Sequence, residues 1–113
     1  QIFCTIVYAF NSYPDRRPLW SQIKDLSNTI KESWFLMGDF NSILNADEKM
    51  GSTFSPTFIK EFNSCIEDAN LMEVNLLGEK YTWYRRHLDG VRVSRIDRAF
   101  VNDASLENWR SIS

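Results

Sequence analysis

A short apolar segment that ends in polar residues is the feature that most constrains this chain. Residues 34–37 (Trp-Phe-Leu-Met) run directly into Gly38, Asp39 and, two positions on, Asn41. An unbroken apolar run bounded by a turn signal is typical of a strand buried on both faces. In open α/β sheets, ligands bind at the carboxyl edge where such a strand ends. A carboxylate and an amide there could hold a divalent cation and a phosphate oxygen, or could equally serve as a turn cap and an Asx-turn.

The residues before this strand predict a crossover connection. Residues 2–8 are β-branched and aromatic, which predicts a second buried strand. Pro18 suits the first turn of a helix, and apolar residues recur after it every three or four positions, so an amphipathic helix is predicted at about 17–32. Strand, helix and strand with a short return imply two neighbouring parallel strands, or at least two strands of one sheet.

The rest of the chain alternates between loops and short regular elements. Residues 42–55 are predicted to form a long surface loop, a type that is often functional. Ser55 and Pro56 have the N-cap and first-turn chemistry of a second helix, which ends near Asn70. Further on, the sequence predicts strands at 71–74 and 81–84, a loop at 88–90, extended structure at 91–101 and a helix at 104–110. A length of 113 residues fits one α/β domain or a piece of one.

Charge is unevenly distributed along the chain, although the net charge is only −2. Residues 79–98 hold six Lys and Arg against three Asp and Glu, and they include Tyr81, Trp83 and Tyr84. A basic and aromatic segment could follow a phosphate backbone and stack on bases. A solvated hairpin face explains the same pattern without a ligand. Because the chain as a whole is not basic, any nucleic-acid binding is expected to be local.

Cysteine and histidine usage argues against several classes of site. Cys4 and Cys65 lie in an apolar run and on a predicted helix face, so both are expected to be reduced core thiols. Paired Cys/His spacing is missing, so neither a disulfide-rich fold nor a zinc site is expected. The single histidine, His87, precedes a turn and is predicted to be a loop residue. No stretch approaches the roughly 20 apolar residues that span a bilayer, and no signal peptide is recognised, so an intracellular protein is expected.

Four short motifs carry a resemblance to a known family. In chain order they are Tyr-Ala-Phe-Asn at 8–11, Gly-Asp-Phe-Asn at 38–41, Tyr-Thr-Trp at 81–83 and Arg-Ile-Asp-Arg at 95–98. This ordered set, with the intervening helix, resembles the endonuclease/exonuclease/phosphatase superfamily, the DNase I-like fold. Three flanking stretches look like endonuclease domains of plant LINE-type non-LTR retrotransposons: residues 16–20, 45–51 and 94–102. In such proteins a reverse transcriptase domain normally follows the nuclease.

The resemblance covers essentially residues 2–110 and implies a fold. That fold is a partial four-layer α/β sandwich, with two mixed sheets flanked by helices. Residues 1–113 are expected to be a central to C-terminal fragment of the domain. The family's amino-terminal half carries a metal-binding glutamate and an asparagine, and its end carries a Ser-Asp-His motif. Neither is found in this chain, and His87 lies upstream of Asp97, so the fragment is expected to be inactive as it stands.

The resemblance also implies roles for individual residues. Family members hydrolyse a phosphodiester with a divalent metal, usually Mg²⁺, and a water nucleophile. Asp39 would orient or deprotonate that water, near the metal or bound to it through water. Asn41 would donate its amide to a phosphate oxygen as negative charge develops. Tyr8 and Asn11 would hold the phosphate or the leaving oxygen from the other side, and Asp97 matches the aspartate that orients the catalytic histidine.

The implied partner is DNA, and the implied setting is the nucleus if the element is active. Four basic residues are candidate DNA contacts: Arg85, Arg86, Arg95 and Arg98. For Arg95 and Arg98, packing or an ion pair with Asp97 is as well supported. No membrane partner and no obligate oligomer are expected. A partial sandwich would leave sheet edges and apolar faces uncovered, so the isolated chain is expected to be marginally soluble.

Three other functions remain open. The first is a retroelement relic that keeps the core elements but performs no reaction. The second is a phosphatase of the same superfamily acting on inositol or lipid phosphates. Residues 48–49 and 96–98 argue against it, because they look like those of retroelements. The third is a module that binds single strands through the basic and aromatic segment 79–98.

Overall fold

A computed structural model describes residues 1–75, 80–87 and 90–112. A 3₁₀ turn at Ala46–Glu48 precedes the third strand. In chain order the strands and α-helices are β1 (Ile2–Tyr8), α1 (Tyr13–Thr29), β2 (Ser33–Asp39), β3 (Lys49–Met50), α2 (Pro56–Asp68), β4 (Leu71–Val74), β5 (Trp83–His87), β6 (Gly90–Ser94), β7 (Asp97–Asn102) and α3 (Asp103–Ile112).

The larger sheet is mixed and has the strand order β1-β2-β7-β4. Strands β1 and β2 are parallel, which confirms the predicted crossover, and β7 is antiparallel to both β2 and β4. Helix α1 begins at Tyr13 rather than near residue 17, because Pro14 occupies the first turn, where a missing N–H has no consequence. Pro18 therefore lies inside the helix, and the predicted helix start is wrong.

The core lies between one face of this sheet and the helices α1 and α2. Side chains of β1 alternate in exposure, so that Val7 is buried and Ile6 is exposed on the other face. The rings of Trp20 and Phe62 stack at 4.7 Å between the two helices. The buried cluster consists mainly of Val7, Trp20, Ile23, Trp34, Leu36, Phe40, Phe62, Cys65 and Phe100.

A smaller antiparallel sheet has the order β3-β6-β5. The extended segment predicted at 91–101 is therefore divided between two sheets, with β6 in the smaller and β7 in the larger. Backbone hydrogen bonds hold the chain at this division: the N–H of Arg95 donates to the carbonyl of Glu48, and the N–H of Phe40 donates to that of Ile96, both at 2.9 Å. The predicted surface loop at 42–55 is only partly a loop, since it contains the 3₁₀ turn and β3.

The described residues thus form an α/β fold with a four-stranded mixed sheet and three α-helices. Two further expectations are wrong. Cys4 is exposed rather than a core thiol, because it lies on the uncovered face of the outermost strand, whereas Cys65 is buried as predicted. His87 is the last residue of β5 rather than a loop residue, and the predicted loop residues 88 and 89 lie outside the described part of the chain. No described helix is long and apolar enough to cross a membrane.

Candidate functional site

Three polar side chains from distant parts of the chain are aligned across the larger sheet. Tyr8 is paired with Asp39 in the parallel β1–β2 ladder, and Asp39 is paired with Asp97 in the antiparallel β2–β7 ladder. Residues that lie directly opposite each other in neighbouring strands project from the same face. Tyr8 is 90% exposed, whereas the preceding Val7 is 3% exposed. The three residues, called the polar row below, therefore lie on the sheet face opposite the helices α1 and α2.

Gly38 allows the first two strands of the polar row to come together. Its φ angle is +138°, a conformation that side-chain-bearing residues rarely adopt. A Cβ atom at this position would lie 2.1 Å from the carbonyl oxygen of Val7. The glycine is thus required by the close approach of β1, immediately before Asp39.

Asn41 connects the ends of β1 and β2 through hydrogen bonds. Its backbone N–H donates to Oδ1 of Asp39 at 2.9 Å, and its φ angle of 48° is left-handed. Asp39 therefore caps the turn, one of the alternatives that the sequence left open, and this hydrogen bond uses one of its two carboxylate oxygens. The Nδ2 group of Asn41 donates to Oδ1 of Asn11 at 2.8 Å and to the carbonyl of Ala9 at 3.1 Å. Both of its amide hydrogens are consequently in use.

The charge of Asp97 acts on the neighbouring carboxyl group of Asp39. Burial raises the pKa of Asp39 above its ordinary value, and the negative charge of Asp97 raises it further. The N–H of Asn41 and the guanidinium of Arg16 act in the opposite direction. Two neighbouring carboxylates that repel each other are stabilised by a cation with oxygen ligands such as Mg²⁺. Within the described residues, however, no group of three or more His, Cys, Asp or Glu side chains could hold a metal, so the polar row offers a partial ligand set.

Arg16 is a site residue that lies outside the four sequence motifs. It is half-buried, donates a hydrogen bond to the backbone carbonyl of Asn41, and lies over the ring of Tyr13 at 5.0 Å. A helical signal could have identified it, because Arg16 lies three residues after Tyr13 and four before Trp20, and both of these are buried. A basic residue on the buried face of a helix needs a reason, and here the reason is the turn at Asn41.

The predicted DNA contacts have different outcomes. Arg98 has a fully buried side chain whose guanidinium pairs with Glu48 and, at 2.7 Å, with Glu73. Its donors face these interior carboxylates rather than its predicted alternative partner Asp97, and its contact with DNA stays a prediction. Arg95 is also largely enclosed and pairs with Glu73 at 3.4 Å.

Arg85 alone among these four has a described side chain that is exposed. It lines a cavity that Asn41 also lines, and its contact with DNA stays a prediction. Arg86 contributes its backbone to β5, but its side chain lies outside the described part of the chain.

Comparison with protein-family models gives no match for this chain, and comparison with curated proteins gives no similar protein. The chemistry of the site therefore has to be derived from its own atoms. Two adjacent carboxylates suit a divalent cation, and the amide of Asn11 together with Arg16 suits an anionic oxygen. A cation and a phosphate held side by side is the combination that these residues favour.

Proposed function

We propose that residues 1–113 belong to a metal-dependent phosphodiester hydrolase, most similar in its motifs to a retrotransposon-type DNA endonuclease. The observation that supports this most is the pairing of Tyr8, Asp39 and Asp97 in one row. These residues come from three of the four motifs that carry the resemblance. They are widely separated in sequence, so their alignment depends on the tertiary structure and is not a consequence of the motifs themselves.

In this proposal Asp39 orients the attacking water and lies beside the metal, directly or through a bridging water. Its raised pKa suits a group that accepts a proton, because a less acidic carboxyl is a better base. Mg²⁺, when bound, would supply positive charge that stabilises the phosphate as its negative charge increases. Asp97 would share that cation or orient a catalytic histidine, as the family's aspartate does.

The hydrogen bonds refine the roles of the two asparagines. Asn41 already donates both amide hydrogens, whereas the Nδ2 group of Asn11 is not used in their mutual hydrogen bond. We propose that Asn11 donates to the phosphate and that Asn41 orients it. Tyr8, which is exposed on the same sheet face as Asp39, would hold the phosphate or the leaving oxygen.

The four-layer sandwich belongs to the same proposal. On the face of the larger sheet opposite the core, Ile2, Ile6 and Met72 are exposed by 68%, 69% and 53%. A second sheet packed at about 10 Å would cover such a face. An apolar face of this kind also supports the expected marginal solubility of residues 1–113 on their own.

The family's glutamate ligand and general histidine have no counterpart in the sequence of residues 1–113. We therefore expect no plasmid nicking by these residues alone. The test is a nicking assay on supercoiled plasmid with the protein expressed from the whole reading frame that contains this chain. Nicking is expected with Mg²⁺ and not with EDTA, and Asp39→Ala should lower it by about 10²–10⁴-fold, the usual value of acid–base groups.

Asp25→Ala is the matched control, because Asp25 is an exposed residue of α1 and should leave nicking unchanged. Equal nicking by Asp39→Ala and wild type would refute the assignment of Asp39. Release of phosphate from an inositol phosphate without nicking would favour the phosphatase, and a reading frame that supports neither reaction would favour the relic.

A further inference from the structure

A cavity of about 570 Å³ lies beside the polar row and is lined by basic side chains. Arg16 contributes from α1, Lys49 from β3, and Arg85 and Arg92 from the strands of the smaller sheet. Asn41 also lines the cavity, which connects it to the candidate site. Of the described residues that line this space, four are basic and none is acidic.

Like charges are held close together in this cavity. Burial lowers the pKa of Lys49 below its ordinary value, and the neighbouring charge of Arg16 lowers it further. The Nε atom of Arg16 is buried and has no hydrogen-bond partner among the described residues. Arg85 is paired with Arg92 across the β5–β6 ladder, and both line the same cavity. Like charges held close together repel each other, so the pair of Lys49 and Arg16 would be stabilised by an anion.

An aromatic ring in the same cavity indicates what kind of anion fits. Trp83 lines the space beside these cations and is 37% exposed, so its ring can accept a stacked base. The volume is larger than one phosphate requires and falls in the usual range of small-molecule ligand pockets. Cations that follow a phosphate backbone, combined with an aromatic side chain, are the usual features of sites for single-stranded nucleic acid.

We infer that this cavity is a phosphate-binding subsite for a nucleic-acid strand, with Lys49 and Arg16 contacting the phosphate and Trp83 stacking on a base. This inference deepens the proposed function, on which it rests for the view that a polymeric strand is the substrate. In addition to the phosphodiester proposed at the polar row, a neighbouring phosphodiester of the same strand would be held in this cavity without a metal. Its stacking ring also distinguishes a nuclease from a phosphatase of inositol or lipid phosphates, whose substrates carry no base.

The test measures binding of a fluorescein-labelled single-stranded oligodeoxynucleotide to the 113-residue chain by fluorescence polarisation, in EDTA and over a salt series. Lys49→Gln is expected to weaken binding and to reduce the slope of log Kd against log salt by about one, the loss of one phosphate contact. Lys31→Gln is the matched control, since Lys31 is exposed just before the opposite end of β2. Identical slopes for both variants would overturn the inference.

A second measurement separates a binding role from a structural one. If Lys49 serves a ligand, removing its charge relieves the repulsion by Arg16, so Lys49→Gln should unfold at a higher temperature than wild type when no ligand is present. A lower unfolding temperature would contradict the inference. Inorganic phosphate should compete with the oligonucleotide at constant ionic strength, and phosphate binding without any oligonucleotide binding would overturn the assignment to a strand.

The failure of this inference can be distinguished from failure of the proposed function. Asp39 does not line the cavity, and its carboxylate offsets the charge of Arg16. Asp39→Asn should therefore bind the oligonucleotide in EDTA at least as tightly as wild type. Absence of nicking from the whole reading frame, with the effect of Lys49→Gln on binding intact, would refute the catalytic proposal and leave the subsite.

Discussion

Replacing Gly38 by alanine tests how the polar row is assembled. The new methyl group would lie 2.1 Å from the carbonyl oxygen of Val7 and 2.9 Å from its nitrogen, so either β1 or the turn has to move. The φ angle of +138° adds backbone strain, because an alanine rarely adopts it. Both effects act between β1 and β2, the pair of strands that brings Tyr8 next to Asp39.

The magnitude follows from these two terms. A sparsely populated backbone conformation costs of order 1–3 kcal/mol, and overpacking against a fixed neighbour costs about 1–3 kcal/mol. Gly38→Ala should therefore lower the free energy of unfolding by about 2–6 kcal/mol. A domain of this size is usually stable by about 5–15 kcal/mol, so the variant would lose a large part of its stability.

The assay is urea unfolding followed by tryptophan fluorescence, with circular dichroism as a second probe. Gly51→Ala is the control, because Gly51 also has a positive φ angle, of 82°, but is exposed in the segment between β3 and α2. Gly51→Ala should lower the free energy of unfolding by about 1 kcal/mol, because it adds the backbone strain without the steric clash. A Gly38→Ala variant that unfolds within about 0.5 kcal/mol of wild type, the usual effect of a surface substitution, would refute this account of the polar row.

Three further predictions concern charged and titrating groups. Arg98→Met should lower the free energy of unfolding by about 3–5 kcal/mol, because it leaves Glu48 buried without its partner. Adding Glu48→Gln to this variant should recover part of the loss in the same urea assay. No recovery would contradict the coupling of the two residues. Burial raises the pKa of Tyr13 to about 12, so the stability from its neutral phenol is complete below pH 10 and is lost as pH rises toward 12. Tyr13→Phe should flatten this dependence in unfolding measured against pH. Asp97→Asn should lower the pKa of Asp39, as followed by carboxyl chemical shifts in NMR, and an unchanged pKa would show that the two groups do not interact.

Local signals predicted the regular elements of this protein well. The strand predicted at 2–8 is observed at Ile2–Tyr8, because β-branched and aromatic residues fit a pleated surface. Its predicted burial holds on one face only, since Ile2, Ile6 and Tyr8 are exposed. The helix predicted from Ser55 and Pro56 begins there, with the Ser55 hydroxyl accepting from the N–H of Phe58 at 3.4 Å. Such signals act between residues a few positions apart, so the sequence alone carries them.

Tertiary contacts decided which side chains are available to a ligand. For Arg98 the sequence left DNA contact, packing and an ion pair with Asp97 open, and its observed partner Glu48 lies 50 residues away in the 3₁₀ turn. Cys4 looked like a core residue, yet its exposure depends on whether another layer covers that face of the outermost strand. Neither fact is encoded by neighbouring residues.

The candidate site shows the same division. The sequence by itself determined that polar residues follow the apolar strands, including Asp39 and Asn41 at the end of β2. Only the tertiary structure decided that Tyr8 and Asp97 flank Asp39, and that Lys49 and Arg16 share a cavity beside them. The physical reason is that strand register and long-range charge pairing arise from packing across the whole chain, whereas strand ends and turns are set by adjacent residues.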